Sequence, residues 1–272
     1  MPTKMFRLLV YLFGAAATLV AASSAMACGA GTDCVIGDRT YRIVLPDGYD
    51  GKGGIGAVIF IHGYRGTAAA EMKNAALTSL ASELGIAYAA AQADGPEWNI
   101  PHVPGGPAPG VDELAYFDAL ANDLVARFAV DRSRIVVAGF SSGAMMTWHL
   151  ACYRGTGFAG FVANSGTFWA PVPETCPTGP VNLIHYHGRQ DPVVPLAGRQ
   201  IKDTRQGNVF EAIDMMRRLG DYRAVAEDNP PGLDCSRWDD AERHRLELCL
   251  FDGGHTVKRA NLERALRILL KR

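Results

Sequence analysis

The 272-residue chain has almost no excess charge: 27 lysines and arginines stand against 28 aspartates and glutamates, a formal −1. A nucleic-acid binder needs a clustered basic footprint, and none is present, so no nucleic-acid partner is expected. No two cysteines have C-x-x-C spacing, which removes the common zinc and dithiol patterns, and no metal site is expected. Internal repeats, heptads and runs of like charge are also missing. The longest hydrophobic run, Leu8–Ala22, is shorter than the roughly 20 apolar residues that a membrane-spanning helix needs.

That run is instead read as an address. Lys4 and Arg7 precede it, and Ala25-Met26-Ala27 closes it with small residues. This is the pattern of a secretory signal peptide spanning residues 1–27, with cleavage after Ala27 and a lipoprotein cysteine at Cys28 as the rival. Removal takes two basic residues and no acidic ones, so the mature chain carries a formal −3. No membrane attachment is expected after cleavage, and the protein is expected to be secreted or periplasmic.

All six cysteines (Cys28, Cys34, Cys152, Cys176, Cys235 and Cys249) lie beyond that point. An even number in an exported chain reads as disulfides, with 15 formal pairings for six cysteines. Proximity in sequence favours Cys28–Cys34 and Cys235–Cys249, which leaves Cys152 for Cys176.

Residues 28–272 read as one domain in which strand and helix patterns alternate. Tyr41–Leu45, Ala57–Ile61, Ile86–Ala91, Arg134–Phe140, Gly160–Asn164, Val181–His187 and Arg245–Phe251 are the expected strands. Helical periodicity covers 69–84, 111–130, 142–153, 208–219 and 257–271, and the proline- and glycine-rich stretch 94–111 is an irregular loop. Alternation of this kind predicts an α/β fold with a mostly parallel central sheet and helices on both faces.

In such a sheet the chemistry collects beyond the carboxyl ends of the strands. Gly139-Phe140-Ser141-Ser142-Gly143 follows one expected strand and opens a helix, which is the setting of a nucleophile elbow. A serine hydroxyl is a weak nucleophile and needs a base held by an acid. Asp191 follows the strand ending at His187, and His255 follows the strand ending at Phe251, so Ser141, Asp191 and His255 are the candidate triad. His185 and His187 alternate within one strand and are expected to be packed or hydrogen-bonded. Asp252 is a rival acid, too close to His255 in the chain to orient it. The backbone N–H groups of Ser142 and Tyr64 are the candidate oxyanion donors, with Arg65 second to Tyr64. His62 is expected to be a structural residue of that turn. Trp98 and Trp169 lie in loops after strand ends and are candidate substrate contacts, whereas Trp148 is expected in the core.

Several of these segments together resemble the secreted polyhydroxybutyrate depolymerase and feruloyl esterase family of α/β-hydrolases. They are Ile61-His62-Gly63, Asp94-Gly95 with Trp98-Asn99, Val111-Asp112-Glu113, Val130–Arg134, the serine elbow, and His187-Gly188 with Asp191–Pro195. The resemblance runs from about Cys28 to the end. It implies an α/β-hydrolase fold and hydrolysis of a small-molecule or oligomeric carboxylic ester through an acyl-enzyme on Ser141, Asp191 and His255, with no cofactor. Two segments depart from the family: Ser142-Gly143-Ala144 replaces its frequent Asn-Gly-Gly, and Val257-Lys258 follows His255-Thr256 where tryptophan and proline are common. The second departure changes the surroundings of the acyl pocket and leaves the triad intact. A serine peptidase or amidase, and a non-catalytic binding protein on the same fold, are the alternatives.

Overall fold

The computed structural model describes residues 28–226 and 229–271, so the expected signal peptide lies outside the described residues. Its central strands form where the sequence has uninterrupted short or β-branched apolar runs. β3 (Ile55–Ile61), β4 (Ile86–Ala91), β6 (Gly160–Asn164) and β7 (Leu183–Gly188) are buried almost throughout, as strands covered on both faces must be. β5 (Val130–Phe140) and β12 (Arg245–Phe251) complete the parallel centre, in the order β4-β3-β5-β6-β7-β12.

Side chains along each strand divide between two cores with the period of two that the pleat imposes. Ala57, Ile59 and Ile61 of β3 face one core, and Val58 and Phe60 face the other. The first core is closed by α3 (Glu113–Phe128), α4 (Ser142–Tyr153) and α5 (Val209–Leu219), through Phe117, Leu120, Met146, Trp148 and Met216. The second is closed by α1 (Ala68–Glu71), α2 (Ala75–Glu83) and α6 (Arg259–Leu270), through Leu77, Leu80, Leu262 and Leu266. This is the expected three-layer fold.

The strand expected over Tyr41–Leu45 is present at one edge, and the other edge strands are additions to the sequence reading. β1 (Cys34–Ile36) and β2 (Arg39–Val44) join antiparallel beside β4, and β10 (Arg223–Val225) and β11 (Asp234–Asp239) join antiparallel beside β12. A small ribbon of β8 (Gln200–Ile201) and β9 (Thr204–Arg205) stands apart. Apart from β2, which buries Tyr41 and Ile43, these edge strands are short or polar and lack the apolar pattern that marks the centre. The single helix expected over 69–84 is two, because Asn74 leaves the helical backbone at ψ 81° and its carbonyl begins α2. β5 starts earlier than expected because its first turn is the polar Asp131-Arg132-Ser133, tied by Ser133 N–H to Asp131 Oδ1 at 2.9 Å.

All three disulfides form as proximity favoured: Cys28–Cys34, Cys152–Cys176 and Cys235–Cys249. The last links directly opposed residues of β11 and β12. Among the described residues, no helix is long and apolar enough to cross a membrane.

Candidate active site

Ser141 sits between β5 and α4 with φ 56° and ψ −120°, a conformation that costs a residue with a side chain on the order of 1–3 kcal/mol. The surroundings enforce it. The Ser141 N–H donates to the Asn164 carbonyl at 2.9 Å, and the Asn164 side chain donates back to the Gly139 carbonyl at 3.1 Å. A Cβ on Gly143 would lie 2.0 Å from the Ile61 carbonyl oxygen, and one on Gly139 would lie 2.1 Å from that of Gly143. Only glycine permits this approach of helix to sheet. The turn that results makes Ser141 the residue before a helix N-terminus, with its side chain bonded to no helix N–H.

Asp191 lies in the turn after β7. Its Oδ1 accepts the N–H groups of Val193 and Val194 at 2.8 and 2.9 Å, and its Oδ2 accepts Nδ1–H of His255 at 2.7 Å. Burial alone would raise its pKa. The hydrogen bonds from His187, His255 and the two N–H groups outweigh that and hold it below the usual carboxylate range. His255 lies beyond β12, and its ring packs on Phe140, the neighbour of Ser141, with centroids 4.7 Å apart. With Nδ1 donating to Asp191, the Nε2 lone pair is free to accept a proton. The rival Asp252 carboxylate is 93% exposed and lies 3.9 Å from Arg189, so it takes no part in orienting His255.

The loop after β3 closes the other side. Gly63 lies against Ser141, where a Cβ on it would be 3.4 Å from the serine Cβ. The Ser142 N–H opens α4 and has no intrahelical acceptor. Among the described residues the Tyr64 N–H has no acceptor either, whereas the Arg65 N–H is spent on the Pro96 carbonyl at 2.8 Å. Tyr64 therefore remains the second candidate donor and Arg65 does not. His62 holds the turn, as expected: its Nε2 accepts the Ala93 N–H at 3.3 Å, which leaves Nδ1–H for the Gly63 carbonyl at 2.8 Å. Burial pushes its pKa down and keeps it neutral, against a smaller opposing effect of the Gly63 carbonyl.

Trp98 is a correction. It is fully buried between His62 and Phe117, and its indole donates to the His62 carbonyl at 2.8 Å, so it offers a substrate no surface. It anchors the 94–111 loop, which Glu113 also grips by accepting the Asn99 N–H at 3.0 Å while pairing with Arg39 at 3.0 Å. Trp169 lines a cavity of about 320 Å³ together with Tyr153, Phe168, His149, His102 and Pro171. Burial first, and then the charge of Arg154, push the His149 pKa down to about 4.

Sequence reasoning missed Glu97. It lies in the loop after β4, and its carboxylate accepts from the Ser142 hydroxyl, beside the candidate oxyanion donors. Burial raises its pKa, with bonds from Ser142 and the Trp98 N–H opposing the shift. No local pattern signals a contact spanning 45 positions. Metal ligation has little to work with among the described residues. Cys235 and Cys249 near Glu247 are consumed by their disulfide, and Asp240 near His244 already accepts two backbone N–H groups of its own turn.

A parallel-centred sheet, a serine on a strand–helix elbow, and an acid and a histidine after two later strands are the arrangement of the α/β-hydrolase fold. A family profile described as Phospholipase/Carboxylesterase matches residues 113–216. The chain is 28% identical over 168 residues to "Putative esterase NocK" of Nocardia uniformis, a match covering 59% of this chain and 47% of that protein. It is 29% identical over 151 residues to "Probable feruloyl esterase C" of Aspergillus terreus, covering 54% and 51%. These matches thus span about half the length of the curated relatives. An acetyl xylan esterase from Aspergillus awamori superposes with a TM-score of 0.62 at 15% identity, over 85% of this chain and 94% of that one. The chain has the α/β-hydrolase fold, and the likeness to a feruloyl esterase accords with the resemblance read from its motifs.

Proposed function

We propose that the protein is an exported serine carboxylic-ester hydrolase acting on esters of aromatic acids such as feruloyl esters. The observation that carries this reading is the 2.7 Å bond from His255 Nδ1 to Asp191, made by a ring that also packs beside the Ser141 elbow. In the reaction, Ser141 Oγ attacks the ester carbonyl while His255 Nε2 takes its proton. The N–H groups of Ser142 and Tyr64 bind the oxyanion, and Asp191 stabilises the imidazolium. His255 then protonates the departing alkoxide, and a water deprotonated by the same nitrogen releases the acid. Three disulfides support an oxidising destination. The likeness to a feruloyl esterase supports an aromatic acyl group over a hydroxybutyrate chain.

The test compares kcat/KM for methyl ferulate and for a soluble 3-hydroxybutyrate trimer on wild-type protein and on Ser141→Ala. Preference for ferulate, abolished in Ser141→Ala with unfolding unchanged, is expected. Preference for the trimer would replace the aromatic acyl group with a short polyester. Full turnover by Ser141→Ala would remove the triad reading altogether.

A further inference from the structure

Three side chains that the mechanism does not use form a buried line leading to Asp191. The Trp148 indole N–H of α4 donates to His185 Nδ1 at 3.0 Å, His185 Nε2 meets His187 Nδ1 at 2.9 Å, and His187 Nε2 meets the Val194 carbonyl at 2.7 Å. Both histidine side chains and the tryptophan are fully buried. His187 Nε2 also lies 3.4 Å from Asp191 Oδ2, the oxygen that accepts the hydrogen bond from His255 Nδ1–H.

The protons on this line have only one arrangement. An indole N–H can donate and never accept, so His185 Nδ1 carries no proton. His185 must then carry its proton on Nε2, since a ring with none would be an anion. That Nε2–H donates to His187 Nδ1, which in turn leaves His187 protonated on Nε2 alone. There it donates to Val194, whose own N–H donates to Asp191 Oδ1.

Resting on the triad reading above, we infer that His187 is a positioning residue for Asp191, and that Trp148 and His185 lock it as a neutral Nε2–H donor. Two effects follow from the lock. The Val193–Val194 turn is fastened from inside, so Oδ1 stays engaged and Oδ2 is presented to His255. The ring 3.4 Å from Oδ2 is also barred from taking a second proton, because its Nδ1 is already occupied as an acceptor. A cation there would compete with His255 for the Asp191 charge and weaken the base. Facing the pair are Trp148 from α4, Ala163 from β6, Leu248 and Leu250 from β12, and Asp191 with Val194 from the turn. Asp191 is the one charged group among them. Burial, followed by the neighbouring His187, depresses the His185 pKa, in keeping with a neutral ring.

The test has two arms. In histidine-¹⁵N spectra of the wild-type protein, which need no activity, two imidazoles should appear as Nε2–H tautomers whose protons exchange slowly. An Nδ1–H tautomer or an imidazolium at either ring would overturn the inference. In the second arm, kcat and KM for p-nitrophenyl acetate are measured against pH. His187→Phe should lose about 10- to 100-fold in kcat with KM nearly unchanged, as expected for a misplaced catalytic group. His187→Gln, which keeps an amide donor for Val194 and cannot ionise, should recover most of that loss. His185→Phe, which removes the donor to His187 Nδ1, should lower kcat in the same direction with KM nearly unchanged. A kcat within twofold of wild type in His187→Phe, or no recovery in His187→Gln, would overturn the inference. Should wild-type protein turn over no ester at all, the triad reading fails, and the spectra still decide the proton arrangement.

Discussion

Asp191→Asn tests the site most sharply because the side chain keeps its shape and loses only an acceptor. In the native turn, Oδ1 accepts from Val193 and Val194 at 2.8 and 2.9 Å, and Oδ2 accepts from His255 at 2.7 Å. An asparagine can keep the first pair through its carbonyl. Its NH₂ then points at His255 Nδ1 and makes that nitrogen an acceptor, which moves the imidazole proton to Nε2. Nε2, to which the proposed mechanism assigns the serine proton, then has no lone pair to take it. In serine hydrolases the wrong tautomer costs about 10⁴ in kcat. That is about 5 kcal/mol of barrier at 1.36 kcal/mol per decade. Because the turn is retained, thermal unfolding should move by no more than a few degrees. The assay is kcat/KM for p-nitrophenyl acetate near neutral pH, alongside calorimetry and the rate of labelling by a fluorophosphonate, which should fall in parallel. A loss of less than about 100-fold with unfolding intact would refute the assignment of Asp191 as the orienting acid.

Two further outcomes concern stability. Cys152–Cys176 joins the end of α4 to the loop beyond β6 across a separation of 24 residues. A loop of that size corresponds to about 3.5 kcal/mol of constrained unfolded-state entropy. The Cys152→Ala/Cys176→Ala double variant should therefore melt about 7–14 °C lower by calorimetry, and a drop below about 2 °C would contradict this. His149 has a folded pKa of about 4 against an ordinary 6.5. The unfolded chain thus binds more protons between those values, so the stabilisation is full above pH 6.5 and is lost as pH falls towards 4. The loss amounts to about 3 kcal/mol. Urea midpoints should show it in wild-type protein and show a flatter profile in His149→Asn; identical slopes would exclude His149 as the source.

The centre of the sheet was legible because strands buried on both faces advertise themselves as short, mostly apolar runs bounded by turn residues. Ile86–Ala91, Gly160–Asn164 and Arg245–Phe251 coincide with the observed β4, β6 and β12. The edges were illegible for the converse reason: β10 is wholly exposed and β11 alternates among polar side chains, so neither leaves an apolar signature. Ser141, Asp191 and His255 could be placed because each follows a strand end, a position the alternation reveals. Trp98 could not be judged in this way. A tryptophan in a loop looks available in sequence, and only the packing of His62 and Phe117 around it shows that it is filled space. Glu97 and the Trp148–His185–His187 line depend on contacts across 45 and 37 positions, for which sequence order carries no sign.

The space that a Gly143 side chain would need is taken by the Ile61 and His62 carbonyl oxygens, so the end of β3 and the first turn of α4 meet at that point through main chain. The serine elbow and the loop bearing Tyr64 are therefore registered to each other without any intervening side chain that could be exchanged. The 94–111 and 165–180 segments, by contrast, are held by side-chain grips such as Glu113–Asn99 and by the Cys152–Cys176 bridge. Loop grafting or library design aimed at a new ester can accordingly work on residues 100–110 and 170–180, sparing Pro96, Glu97, Trp98 and Gly166, which touch the Tyr64 loop and the serine elbow.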